Sequence, residues 1–116
     1  WIGTAQLQLG QLAAVSQGNA EQIAELRALI AARPDARAWQ RRLATSLRRS
    51  AEVALALGRV DEARLQLEES VERLTALVGD APDNRVWQRD LAHALLDRAE
   101  LARIEGDRHG ARMRLQ

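Results

Sequence analysis

At 116 residues, with 47% of them hydrophobic and a formal net charge of +1, the chain has room for one domain with a core and is too nearly neutral to demand a polyanion as partner. Ala and Leu dominate the apolar set, Phe and Tyr are absent, and Gly and Pro number only 7 and 2, a composition that predicts an all-α chain. The absence of cysteine excludes a disulfide framework, a thiolate nucleophile and a thiolate zinc site, and no apolar run approaches the roughly 20 residues needed to cross a bilayer. All 17 basic residues are Arg, each a planar donor suited to bidentate pairing. The chain opens at Trp1 with no initiator Met or targeting segment, so a piece of a larger, cytoplasmic protein is expected.

Glycine and proline divide the chain into helical segments. Leu7, Leu12 and Val15 lie in a first stretch predicted to stop near Gly18, and Asn19 with Gln22 reads as a capping box opening a second. Ile23, Leu26 and Ile30 give that second helix an apolar face, and it should end by Arg33 because the residue before Pro34 is pushed out of the helical region. Asp35 stands where an N-cap or first-turn carboxylate would complement the dipole of a third helix. In that helix Trp39, Leu43, Leu47, Ala51 and Ala54 form one buried stripe, and Gly58 suits the left-handed position that ends it. The fourth helix carries Val60, Ala63, Leu67, Val71, Leu74 and Val78, leaves Leu65 and Leu77 for a neighbouring unit, and closes at Gly79 before a Pro-containing loop. The fifth repeats the third, with Trp87, Leu91, Leu95, Ala99 and Ala102 on one face and Gly106 at its end, and a sixth starts at Asp107. The plan is a single domain of three helical hairpins over 1–33, 34–81 and 82–116, the first divergent and the last truncated.

Residues 34–68 recur 48 positions later as 82–116: Trp39-Gln40-Arg41 returns as Trp87-Gln88-Arg89, Leu43-Ala44 as Leu91-Ala92, Ala51-Glu52 as Ala99-Glu100, and Gly58 as Gly106. A period of this length signals stacked supersecondary units. Counting from each hairpin glycine, Ala51 and Ala99 lie seven residues before, Ala54 and Ala102 four before, Leu7, Leu47 and Leu95 eleven before, and Ala63 and Ala111 five after. This pattern resembles the tetratricopeptide repeat, whose small residues let two antiparallel helices approach closely. The Trp-Gln-Arg-x-Leu opening is similar to a long-helix variety found in bacterial signalling proteins, including some serine/threonine kinases. The resemblance implies antiparallel hairpins, 2.5 to 3 of them, stacked as a right-handed superhelical array that serves protein binding or self-association within a larger bacterial protein. It also implies a non-catalytic module, even where the parent is an enzyme.

The chemistry-bearing residues agree with a binding rather than a catalytic role. His93 and His109 are the only histidines, are expected on different helices and have no Cys beside them, too little for a metal centre. No Gly-rich phosphate loop occurs, and Ser46, Ser50 and Ser70 have no paired His. No catalytic residue, cofactor site or metal site is expected.

Charge is concentrated on two helices. Six arginines against Asp35 lie between 33 and 49, while Asp61, Glu62, Glu68, Glu69 and Glu72 stand against Arg64 on the fourth helix. As the arms of one hairpin these segments are expected to neutralise each other. The resemblance adds a second reading, in which the first helix of each hairpin lines a concave surface. Its outward positions then fall at Thr45, Arg48, Arg49 and Glu52, and at His93, Leu96, Asp97 and Glu100, with Arg37 and Arg41 extending a ridge for acidic or phosphorylated peptides. Single-stranded nucleic acid is the alternative ligand for that ridge, weakened because Trp39 and Trp87 lie on the apolar stripe rather than beside it. The truncated sixth helix leaves Met113 and Leu115 to seek cover, so self-association through that end is expected.

Overall fold

The structure, a computed structural model, describes the backbone of residues 2–115 and the side-chain surroundings of residues 8–107. Four helices follow in order: α1 (Ile2–Ala32), α2 (Arg37–Ala56), α3 (Val60–Asp80) and α4 (Arg85–Leu115). The described residues are all-α, as the Ala-, Leu-, Arg- and Glu-rich composition requires.

The central hairpin forms where the glycine pattern places it. Gly58 adopts φ +78°, its N–H bonds Leu55 O at 3.0 Å, and the Arg59 N–H reaches back to Ala54 O at 2.7 Å. These are the two bonds of a Schellman ending, which satisfies the last carbonyls of α2 and turns the chain into α3. The Trp-Gln-Arg segments have a matching structural reason. Gln40 Nε2 donates to Pro34 O at 3.3 Å, and Gln88 Nε2 donates to Pro82 O in the next unit, so each Gln ties the preceding Pro loop to its helix start. Asn84 caps α4 by accepting the Trp87 N–H at 3.1 Å.

Two expected breaks are absent. Helix α1 runs straight through Gly18, Asn19 and Gln22, so no capping box opens there. The half-buried or buried positions Leu12, Ser16, Asn19, Ile23, Leu26 and Ile30 keep helical spacing across the glycine, and one continuous stripe lies on α2. Helix α4 likewise passes through Gly106, so the sixth helix is a continuation of the fifth. Arg103 bridges the glycine by bonding Glu100 at 2.6 Å and Asp107 at 2.7 Å along the helix. Two smaller corrections concern ends: Ala36, not Asp35, occupies the N-cap of α2 and makes no side-chain cap bond, and α3 continues past Gly79 to Asp80.

Helix α1 packs on α2, α2 on α3 and α3 on α4, with α4 also approaching α2. Ile23, Leu26, Leu43 and Leu47 join α1 to α2. Ala44, Val71, Leu74, Leu77 and Ala94 form the centre, and Ala51, Ala54, Ala63, Leu67 and Leu101 form a third cluster near the hairpin turn. The alanines allow close approach, and there Ser70, fully buried on α3, donates to the Ala44 carbonyl at 2.8 Å. Trp87 is half-buried against the central cluster, and Trp39 is half-buried at the start of α2. The apolar face of α4 that meets the body is Trp87, Leu91, Ala94 and Leu101, whereas Leu95, Ala99 and Ala102 are exposed.

Candidate functional site

The predicted ridge on α2 is largely engaged with α4. Arg41 Nε donates to Asp90 Oδ2 at 2.6 Å, and Arg48 Nε donates to Asp97 Oδ2 at 2.5 Å. The partners lie 49 residues apart in both cases, one repeat plus one position, so the two pairs are successive rungs of one ladder between equivalent helices. Arg64 on α3 adds a third rung to α4 through Glu105 at 2.8 Å. The Arg-rich and acid-rich arms of the hairpin therefore do not neutralise each other along their length. Only Arg37 and Asp80, 3.9 Å apart, pair across α2 and α3 among the described residues.

The remaining predicted positions scatter. Thr45 Oγ1 donates to the Arg42 carbonyl at 3.1 Å, and Arg49 and His93 are exposed. Glu52, Asp97 and Glu100 do come together, around a small depression of about 90 Å³ floored by Ala51, Leu67 and Leu101. Glu100 is held by Arg103, whose hydrogen bond keeps its carboxyl below the ordinary range. Met113 and Leu115 lie outside the residues whose side chains are described. No cluster of three or more metal-ligating side chains occurs among the described residues, and no described helix is long and apolar enough to cross a membrane.

A larger concavity lies along α3. It is an open groove of about 1180 Å³ between the α1–α2 loop with the start of α2 and the outer face of α3. Pro34, Asp35, Arg37 and Gln40 form one wall, and Glu68, Glu69, Glu72 and Asp80 with Leu65, Ala76 and Leu77 form the other. Five carboxylates thus face two guanidiniums, those of Arg37 and Arg73. Asp35, Glu68 and Glu72 make no ion pair among the described residues, and Leu65 is 63% exposed between them.

A fixed network braces this groove. Arg27 of α1 clasps Glu69 of α3 with both guanidinium nitrogens, at 2.8 and 2.7 Å, while Arg73 Nε reaches Glu69 at 2.8 Å and Arg73 Nη1 donates to Gln40 Oε1 at 2.7 Å. The chain of contacts runs α1, α3, α2 and, through Gln40, to the Pro34 carbonyl. Hydrogen bonds from Arg27 first and Arg73 second hold the Glu69 carboxyl at about 2, against a burial effect that opposes them. Glu69 is thereby a structural anion, tied to two guanidiniums, whereas Asp35, Glu68 and Glu72 make no ion pair among the described residues.

Sequence reasoning recorded the acidic charge of α3 but placed it opposite the arginines of α2. The available signal was the outward stripe of Leu65, Glu68, Glu72 and Ala76, in which apolar side chains sit among carboxylates at helical spacing without a core to enter. No protein-family model matches this chain, and comparison with curated proteins and with solved structures gives no match.

Proposed function

We propose that the chain is a helical-repeat interaction module of the tetratricopeptide kind, and that it docks a basic, amphipathic polypeptide segment in the groove between the α1–α2 loop and α3. The observation that carries this reading is the groove itself, in which Asp35, Glu68 and Glu72 have no cationic partner among the described residues and flank the exposed Leu65 and Ala76. Carboxylates on such a rim steer and orient a cationic partner, and the apolar strip between them supplies the desolvated contact. The acidic-peptide alternative is less well supported, because Arg41 and Arg48 already hold Asp90 and Asp97. Nucleic acid is also less well supported, since Trp39 and Trp87, the aromatic side chains among the described residues, are half-buried. The resemblance of the Trp-Gln-Arg-x-Leu opening supports a bacterial signalling protein as the parent.

Titration of a fluorescent Arg/Leu amphipathic peptide, with its acidic Glu/Leu counterpart as control, tests the reading. The basic peptide should bind with salt-sensitive affinity, and the Glu68→Arg, Glu72→Arg double variant should weaken binding at least about tenfold, the equivalent of ~1.4 kcal/mol. Arg49→Ala, at an exposed position that does not line the groove, should leave it unchanged. Preference for the acidic peptide, or indifference to the double variant, would overturn the assignment.

A further inference from the structure

Equivalent positions of the two repeat units are covered differently. Leu47, Ala51 and Ala54 of α2 are 1%, 0% and 2% exposed, and Ala63 and Leu67 of α3 share the cluster that covers the two alanines. Their counterparts 48 residues on, Leu95, Ala99 and Ala102 of α4, are all exposed, Leu95 to 38%. Leu47 packs with Ile23 and Leu26 of α1, but the residues that would cover Ala99 and Ala102 are also in the chain, since Ala111 and Leu115 stand 48 positions after Ala63 and Leu67. They do not fold back, because α4 continues through Gly106 where α2 turns at Gly58. Helix α4 is therefore both arms of a hairpin laid out as one rod, and its second arm points away from the face it matches.

We infer that this face is covered by a second copy of the chain. Two α4 helices lie antiparallel across a two-fold axis near Gly106, each placing its residues 107–115 on Ala99 and Ala102 of the other. In the α2–α3 hairpin, Ala54 and Ala63 are symmetric about the turn. The same symmetry sets Ala102 level with Ala111 of the other copy and Ala99 level with the stretch ending at Leu115. Such an exchange reuses the packing of the central hairpin without a new interface chemistry. Charge agrees with the antiparallel order. Residues 108–115 carry three arginines and no carboxylate, while Glu100 and Asp107, the carboxylates of 97–107 that α2 and α3 do not engage, share the single Arg103. Nine residues of overlap from each copy, on the two sides of the axis, make a seam of about 27 Å at 1.5 Å per residue, so the contact belongs to the small, weak class of interfaces and the dimer forms at high protein concentration.

The cysteine-free chain permits a direct test by mild oxidation of the double variant Ala102→Cys, Ala111→Cys, read on non-reducing gels over a concentration series. The expected result is a disulfide-linked dimer whose yield rises with protein concentration, falls with salt and is abolished when Ala99→Glu is added, with helicity by circular dichroism unchanged. A disulfide within one chain would show that residues 107–115 fold back on their own α4. No disulfide at all, with a monomer in sedimentation at every concentration, would show that the face needs no cover, and either result overturns the exchange.

Discussion

Glycine shows how one residue type takes opposite roles in equivalent positions. Gly58 sits at φ +78°, where an added Cβ is strained whatever the space around it, so Gly58→Ala should destabilise the fold by about 1–2 kcal/mol. Gly106 lies inside α4 with open space around the position of its missing Cβ, and Gly106→Ala should stabilise by ~0.8–1 kcal/mol, the helix-propensity difference. Urea melts of the two variants check both signs; a loss of stability in Gly106→Ala would mean that a turn, not a helix, is needed there. Asp90 is the most buried member of the ion-pair ladder, at 8% exposure, and its removal leaves Arg41 without its partner. Asp90→Ala should cost about 1–2 kcal/mol, and Arg41→Leu with Asp90→Leu together should cost less than the sum of the single changes in a double-mutant cycle.

The Arg27–Glu69–Arg73 network gives the α1–α3 brace a predictable pH dependence. Because the folded Glu69 carboxyl is held at about 2, below its ordinary 4.5, its stabilisation is complete above pH 4.5 and is lost as pH falls from there towards 2. All three side chains are partly exposed, so the contribution is modest, under ~1 kcal/mol. Urea midpoints at pH 6 and pH 3 should fall further for the wild type than for Glu69→Gln; equal falls would show that the carboxylate is not held.

At the level of elements, the central hairpin was legible because each signal agreed with the next: stripes at helical spacing on both arms, small residues where the arms meet, and one glycine at the turn. The straight runs of α1 and α4 were not, since a glycine inside a helix costs only ~1 kcal/mol and does not by itself stop one. The stripe from Leu12 through Asn19 to Ile30 keeps its period across Gly18, and a period search over the whole segment reveals it where the capping signal at Asn19 conceals it. The ion pairs were hidden for a different reason. Pairing depends on which helix faces which, and Arg41 and Arg48 meet carboxylates one unit away rather than those of their own hairpin. Once that register is known the groove follows, because the arginines that would have neutralised α3 are occupied elsewhere.

The whole molecule has two faces of different character. On one, α2 and α4 are tied by Arg–Asp rungs; on the other, the Pro34 loop, the start of α2 and α3 enclose an acidic groove braced by Glu69. On the proposed reading the groove is a preorganised surface, so the ordering cost of binding would fall on the incoming segment. Amide chemical-shift mapping with the Arg/Leu peptide distinguishes the faces directly. The shifts should cluster at residues 34–40 and 65–80 and be absent from 45–52 and 93–100; the reverse distribution, with shifts centred on Arg48, Arg49 and His93, would contradict the account.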